Sequence, residues 1–437
     1  MNKRDLICEN LSVDAEGILY FAGQSTQQLA QQYGTPLYLM DEDRIRNRIQ
    51  TYVAGMKKAF GEYGHVLYAS KAASFKRIYE ITAQEGIGVD VVSSGEIATA
   101  AQAGFPLEKA YFHSNNKTDR DIRYAMEKGV GFFVVDNEEE LYAINAIAGE
   151  YGIKQPLLLR ITPGIDPHTY AAVNTGTVDS KFGSAIETGQ AEAITKLAMS
   201  LPNIDLHGFH CHVGSQVFDA QVPLQTADIM LWFVNDMYRK LGFVTRKLDL
   251  GGGYGVRYTH NDPTIDIEGN LLIIGQRVQA LVEEYGIPMP HIYMEPGRSI
   301  VADAGMTLYT MGTCKRIPGY KSYVSVDGGM TDNPRYILYG STYTLLPANR
   351  MHEDRNMLCS IVGRCCESGD VIQENVRMPD TLRRGDLIAC LTTGAYNYSM
   401  ASNYNRIPRP PVVMLRGGES YVAIQRETPE DMARLDI

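Results

Sequence analysis

Between about positions 35 and 300, short apolar runs alternate with longer stretches of mixed polar and apolar residues. The runs are VLYAS (66–70), GVDVVS (88–93), AYFHS (110–114), GFFVVD (131–136), PLLLRIT (156–162), LHGFHCHVG (206–214), KLDLGGG (247–253) and HIYMEPG (291–297). Their length and β-branched or aromatic content predict buried strands. The stretches between them, such as GEIATAAQAG (95–104) and NEEELYAINAIAGEYG (137–152), have helical spacing. Strand then helix, eight times over, predicts a (β/α)8 barrel. A doubly wound open sheet gives the same alternation. Barrel chemistry sits at C-terminal strand ends. Here those ends carry Lys71, Ser93, His113, Asp136, Arg160, His212, Gly251 and Glu295.

The rest of the chain reads differently. After position 305, β-rich runs such as KSYVSVDGG, MLCSIVGRCC and DLIACLTTGAY are separated by Gly, Pro and Asp turns. They predict a small antiparallel barrel or sandwich. A closing helix is expected from Thr428, with Pro429 in its first turn and Asp431 as a capping-box partner. Near the start, GILYFAG (17–23) predicts a strand, and Ser25 with Gln28 caps a helix. TPLYLMD (35–41) is a further strand that could join the β-rich part. The expected division is a barrel over 35–305 and a β-rich domain from 1–34 plus 306–437.

Composition narrows the class. The 437 residues carry a formal net charge of -10, which argues against a nucleic-acid surface. No stretch reaches transmembrane length, and MNKRDLICEN lacks a signal-peptide core. Seven scattered cysteines do not form a disulfide framework, so a reducing cytoplasm is expected.

Lys71 ends the first strand. Burial of that strand should desolvate part of the lysine's charge and free its amine for carbonyl chemistry; a snorkelling lysine is the plain alternative. Gly251-Gly252-Gly253 follows the seventh strand, where loops often cradle phosphate. Glu295-Pro296-Gly297-Arg298 ends the eighth. Its carboxylate could hold a pyridine nitrogen protonated, and its arginine could bind phosphate or carboxylate. His210 and His212 share a strand face, which suits either a metal or, for His212, stacking on a cofactor ring; Ser215 would then meet the phosphate. No matching ligand cluster elsewhere supports zinc, so no metal is expected. Cys365-Cys366-Glu367 is either inert or a proton donor beside an ammonium-binding carboxylate.

Taken in order, YASKA, DVVSSGEI, FHSNNK, DSKFG, HCHVGSQ, DLGGGYG, EPGR, VDGGMTDNPR, CCESGD and GAYNYSM resemble the fold-type III pyridoxal phosphate decarboxylases, with CCESGD and DNPR pointing to the diaminopimelate branch. The resemblance runs nearly end to end. It implies an alanine-racemase-like barrel with pyridoxal 5'-phosphate on Lys71 and His212 against the ring. It implies that Ser215, Gly252, Gly253, Glu295, Gly297, Arg298 and Tyr396 bind the cofactor. Arg298, Arg335, Tyr339, Glu367 and Tyr396 would bind substrate. Cys366 would donate a proton and, with Glu367, would come from the partner of a homodimer with shared sites. The implied reaction is decarboxylation of meso-2,6-diaminopimelate at its D-centre to L-lysine, the last step of lysine biosynthesis. Alternatives are a decarboxylase of carboxynorspermidine, arginine or ornithine type, or a non-catalytic pyridoxal phosphate-binding homologue. Glu295 counts against a racemase, which places arginine at the ring nitrogen. Two stretches depart from the family pattern: Arg335-Tyr336-Ile337-Leu338-Tyr339, which lacks the usual proline, and PHTYAAVNTG (167–176).

Overall fold

The computed structural model describes residues 6–165 and 175–437, so most of the PHTYAAVNTG stretch lies outside the described residues. The eight expected strands are present. They are β1 (Gly64–Ala69), β2 (Gly88–Val91), β3 (Ala110–Phe112), β4 (Phe132–Val135), β5 (Gln155–Thr162), β6 (Ile204–His210), β7 (Lys247–Asp249) and β8 (His291–Met294). Each pairs in parallel with the next, and β8 returns to β1 through Ile292 opposite Gly64. The sheet therefore closes as a (β/α)8 barrel rather than an open doubly wound sheet. Several helices between strands start where the sequence provides an acceptor. Thr118 and Asp121 form a reciprocal capping box, and Ser93 and Asn137 accept from amides three residues on.

Side chains in a strand alternate faces, so residues two apart share the barrel interior. One interior layer is apolar: Leu67, Tyr111, Val134, Leu158 and Tyr293 pack together, with Phe132 against them. Two residues further along the same strands stand His113, Asp136, Arg160 and Glu295. Asp90 and Asp249 occupy the corresponding positions on β2 and β7. The apolar layer closes the barrel from below, and a buried polar layer forms its floor near the C-terminal strand ends.

The chain divides into two compact units. One holds Arg48–Gly255 and Thr264–Ser299; the other holds the chain up to Asn47, Val256–Pro263 and Ile300–Ile437. In the second unit the long strand Gly305–Arg316 pairs antiparallel with Leu37–Asp41, Ser322–Val326 and Leu387–Leu391. Leu37–Asp41 thus belongs with the β-rich part. The sheet is not purely antiparallel as expected: Val412–Arg416 runs parallel to Leu37–Asp41, and Ser322–Val326 parallel to Met357–Val362. Each of these pairs joins strands separated by long intervening chain, where no hairpin turn dictates direction. The closing helix is shorter than expected. Thr428 and Asp431 do form their reciprocal cap, but it starts only the 3-10 turn Glu430–Ala433. Among the described residues, no helix is long and apolar enough to cross a membrane.

Candidate active site

β1 ends in a single 3-10 turn, Ser70–Ala72, which carries Lys71 out of the sheet. Lys71 is exposed, so the desolvation expected from the buried strand does not reach its side chain. What surrounds it is charge. Its ammonium acts electrostatically on Asp90, Glu96 and His212. Glu96 accepts from Ser70 Oγ at 3.1 Å and from the Val92 amide at 2.7 Å, and burial pushes it up to about 7. Burial, then the Lys71 charge, holds His212 well below the usual histidine range, so it is a neutral imidazole. The Gly252 amide donates to His212 Nδ1 at 3.3 Å, which leaves the ring proton on Nε2.

Glu295 stands between two histidines. It is buried, with Oε2 3.0 Å from His210 Nε2 and Oε1 2.9 Å from His113 Nε2. The His113 contact is close but poorly aligned for a hydrogen bond. Burial alone would raise Glu295; the two histidines outweigh it and hold the carboxylate well below its usual range. Asp249 behaves oppositely. Its burial, reinforced by Glu295, drives it well above the usual range, although Oδ1 accepts the Gly251 amide at 2.8 Å. Asp90 is also raised by burial. Asp90 and Asp249 were not singled out from the sequence. The available signal was a carboxylate inside an otherwise apolar strand, in GVDVV and KLDLG.

The glycines at the strand ends permit close backbone approach. A Cβ on Gly252 would lie 2.1 Å from the Glu295 carbonyl oxygen, and one on Gly297 would lie 2.9 Å from that of Ala69. Gly253 adopts φ 123°, and its carbonyl accepts the Val217 amide at 2.9 Å. Arg298 is buried at the start of a short helix and donates from Nε to Ser215 Oγ at 3.0 Å. Ser215 and Arg298, read separately from two motifs, are therefore neighbours. The zinc alternative points to a different group from the one expected: one atom each from His113, His210 and Glu295 lie within 4.8 Å, and His212 is not among them. A cavity of about 360 Å³ opens among Gly64, His65, Gly88, Lys109, Phe132 and Lys247. These residues start their strands, so it lies at the end of the barrel opposite the usual site of catalysis.

In the β-rich unit, Arg335 begins the helix Arg335–Tyr339 and is buried between two rings. Its guanidinium carbon lies 5.1 Å from the centroids of both Tyr339 and Tyr396. Among the described residues its Nε has no hydrogen-bond acceptor. Tyr396 holds φ 67°, an uncommon conformation for a bulky residue. The CCESGD loop is pinned by Asp370, which accepts the amides of Met330 at 2.6 Å and Cys365 at 2.7 Å. Cys366 and Glu367 are both exposed, and the Cys366 amide donates to Asn405 Oδ1 at 2.8 Å. Ile337 and Leu338 are also exposed, and Ile337 lies close to Gly369 of the same loop.

Comparison with known proteins agrees with this geometry. A family model described as "Pyridoxal-dependent decarboxylase, pyridoxal binding domain" matches residues 46–302. The chain is 43% identical over 424 residues to diaminopimelate decarboxylase of Bacillus subtilis, covering 96% of this chain and 95% of that protein. It is 37% identical to the Mycobacterium tuberculosis enzyme of that name, covering 98% and 97%. The crystal structure of diaminopimelate decarboxylase from M. jannaschii in co-complex with L-lysine superposes with a TM-score of 0.89 at 31% identity, covering 98% of each chain. The chain belongs to the diaminopimelate decarboxylase family of pyridoxal-dependent carboxy-lyases.

Proposed function

We propose that the chain decarboxylates meso-2,6-diaminopimelate at its D-centre, giving L-lysine, with pyridoxal 5'-phosphate bound at Lys71. The observation that carries this reading is an exposed lysine at a barrel strand end, in one unit with a buried, ionised Glu295. The residues suit that cofactor. Ser215 and Arg298 make a hydroxyl–guanidinium pair fit for phosphate, and the contacts at Gly252 leave no room for a side chain. When bound, the cofactor supplies an electron sink for the pair left by the departing carboxylate.

The protein's own residues hold the parts. The Lys71 amine would be the cofactor's point of attachment. Neutral His212 would pack on the ring face without adding charge. Glu295 would serve as the acceptor for the pyridine nitrogen. Ser215, Gly252, Gly253, Gly297, Arg298 and Tyr396 would hold the phosphate. Arg298, Arg335, Tyr339 and Tyr396 bind the substrate's polar ends. Arg335 suits a carboxylate because it is buried with its Nε–H unspent. Cys366 or Lys71 would return the one proton that the α-carbon takes up, and Glu367 would pair with the distal ammonium, Cys366 and Glu367 coming from the partner of a homodimer. The exposure of Cys366, Glu367, Ile337 and Leu338 supports such an interface. Seven cysteines with no disulfide among the described residues suit a cytoplasmic enzyme.

The test is carbon dioxide release from meso-, LL- and DD-diaminopimelate, ornithine, arginine and carboxynorspermidine. Preference for the meso isomer supports the reading. Turnover of ornithine or arginine in preference to it would reassign the substrate. Silence across the panel, with the cofactor's visible absorbance present, would point to a non-catalytic homologue.

A further inference from the structure

A buried carboxylate that must stay ionised needs partners, and Glu295 has two histidines that the reaction does not otherwise use, one hydrogen-bonded and one in close contact. They come from separate strands: His210 from β6 and His113 from just beyond β3. Each approaches a different carboxylate oxygen, at 3.0 Å and 2.9 Å. The two rings meet edge to face at 4.8 Å, so each limits the other's rotation. We propose that His113 and His210 are positioning residues that bracket Glu295 and aim its carboxylate at the cofactor's pyridine nitrogen. The proposal rests on the role given to Glu295 above.

The protonation pattern agrees. His210 Nδ1 is buried without a hydrogen-bond partner among the described residues. A bare lone pair there costs less than a stranded N–H, so the proton sits on Nε2, facing Glu295. Burial pushes His210 down to about 4, so it donates as a neutral ring. A carboxylate has about four lone-pair sites, so two histidine contacts leave room for the pyridine N–H. The other charged or titratable groups on the surrounding strands are Asp90, Asp136, Arg160, His212 and Asp249. Asp249 is raised toward its neutral form, and so does not compete with Glu295 as the anion.

The experiment compares wild type with His210→Phe, His113→Phe and the donor-keeping His210→Gln. Holoenzyme is loaded with cofactor labelled with ¹⁵N at the ring. The readouts are the pyridine ¹⁵N chemical shift, kcat and KM. The Phe variants should move the ¹⁵N signal toward the unprotonated position. His210→Phe should lower kcat by about 10- to 100-fold, the range for losing a hydrogen bond to a charged group, and His113→Phe by less, each with a smaller change in KM. His210→Gln should recover part of both. If the Phe variants do not fold, His210→Ala with added imidazole decides: rescue of kcat supports the bracket and failure overturns it. Phe variants that keep the wild-type ¹⁵N shift and kcat overturn it too. A wild type without cofactor absorbance would instead overturn the assigned function, and this inference with it.

Discussion

Lys117 and Glu140 form an ion pair that the chemistry does not touch. Its removal should nevertheless be among the costliest changes in the barrel. Both side chains are almost wholly buried, with Nζ 2.6 Å from Oε1. Nζ also donates to the carbonyls of Val134 at 2.7 Å and Ser114 at 3.1 Å. Glu140 Oε2 accepts the Asp136 amide at 3.3 Å. The pair thus ties the loop after β3 to the end of β4, close to His113 and Asp136. Lys117→Met keeps the volume and strands the carboxylate. Glu140 must then stay charged and buried or take up a proton. From an ordinary value of 4.5, protonation at pH 7 costs 2.5 units, or about 3 kcal/mol at ~1.4 kcal/mol per unit. Two carbonyls also lose a donor. The expected loss is about 3–5 kcal/mol at pH 7.

The pH dependence gives a second handle. Burial raises Glu140 and lowers Lys117, so both are squeezed toward neutrality. In the wild type the folded pair keeps one proton. The unfolded chain also keeps one, on lysine. The pair therefore adds no slope of stability with pH between about 5 and 10. In Lys117→Met, the folded carboxyl binds a proton that the unfolded one lacks. Stability should then fall as pH rises above about 4.5, by up to ~1.4 kcal/mol per unit. Urea denaturation at pH 5, 6 and 7 measures both effects. Lys117→Met with Glu140→Leu should return to within about 2 kcal/mol of wild type, because an apolar pair replaces a buried ionic one at little cost. A single variant losing under 1 kcal/mol, or a loss unchanged between pH 5 and 7, would refute the reasoning.

Other expectations follow from the two units. Lys71→Ala should remove the cofactor's visible band and turnover while leaving the thermal midpoint near wild type; full turnover would rule out Lys71 as the attachment point. Glu295→Gln should lower kcat more than it raises KM, and a change in KM alone would disprove its role at the ring nitrogen. Mixing inactive Lys71→Ala with inactive Glu367→Ala should restore partial activity through hybrid dimers, and confirmed subunit exchange without recovery would show that each site is built from one chain. Asp249→Asn keeps an acceptor for the Gly251 amide and removes a carboxyl whose folded pKa is raised. Its stabilising effect should be present at pH 7 and vanish as pH falls below the ordinary value of 3.8, where unfolded Asp249 also takes up a proton; thermal melts across that range check the sign.

Much of this was legible because a barrel repeats a simple grammar. Eight apolar runs separated by helical spacing marked the strands, and motif order brought out Lys71, His212, Glu295 and Arg298. What was not legible depends on contacts distant in sequence. The Arg298–Ser215 hydrogen bond joins residues 83 positions apart. The parallel pairing of Val412–Arg416 with Leu37–Asp41 spans nearly the whole chain. The exposure of Lys71 depends on the turn that ends β1, which the apolar run VLYAS does not reveal. Thr428 and Asp431 show a local signal that is correct and still insufficient. Their cap forms, but with no buried residues behind it the helix does not extend past one turn.

The two-residue strand period explains why the acids lie where they do, and what they cost. Moving two residues along β8, Tyr293 in the apolar layer gives way to Glu295. Along β3, Tyr111 gives way to His113, and along β5, Leu158 to Arg160. A barrel can place an acid in its interior only by removing an apolar residue from that layer, so stability is lost where chemistry is gained. Asp90 and Asp249 carry the loss: burial raises both, so each favours its protonated form in the fold and destabilises the fold as pH rises above the usual carboxylate range. Glu295 escapes because histidines meet both its oxygens. The polar floor is therefore not uniform. It holds one carboxylate, Glu295, ionised and drives its neighbours Asp90 and Asp249 toward the neutral state.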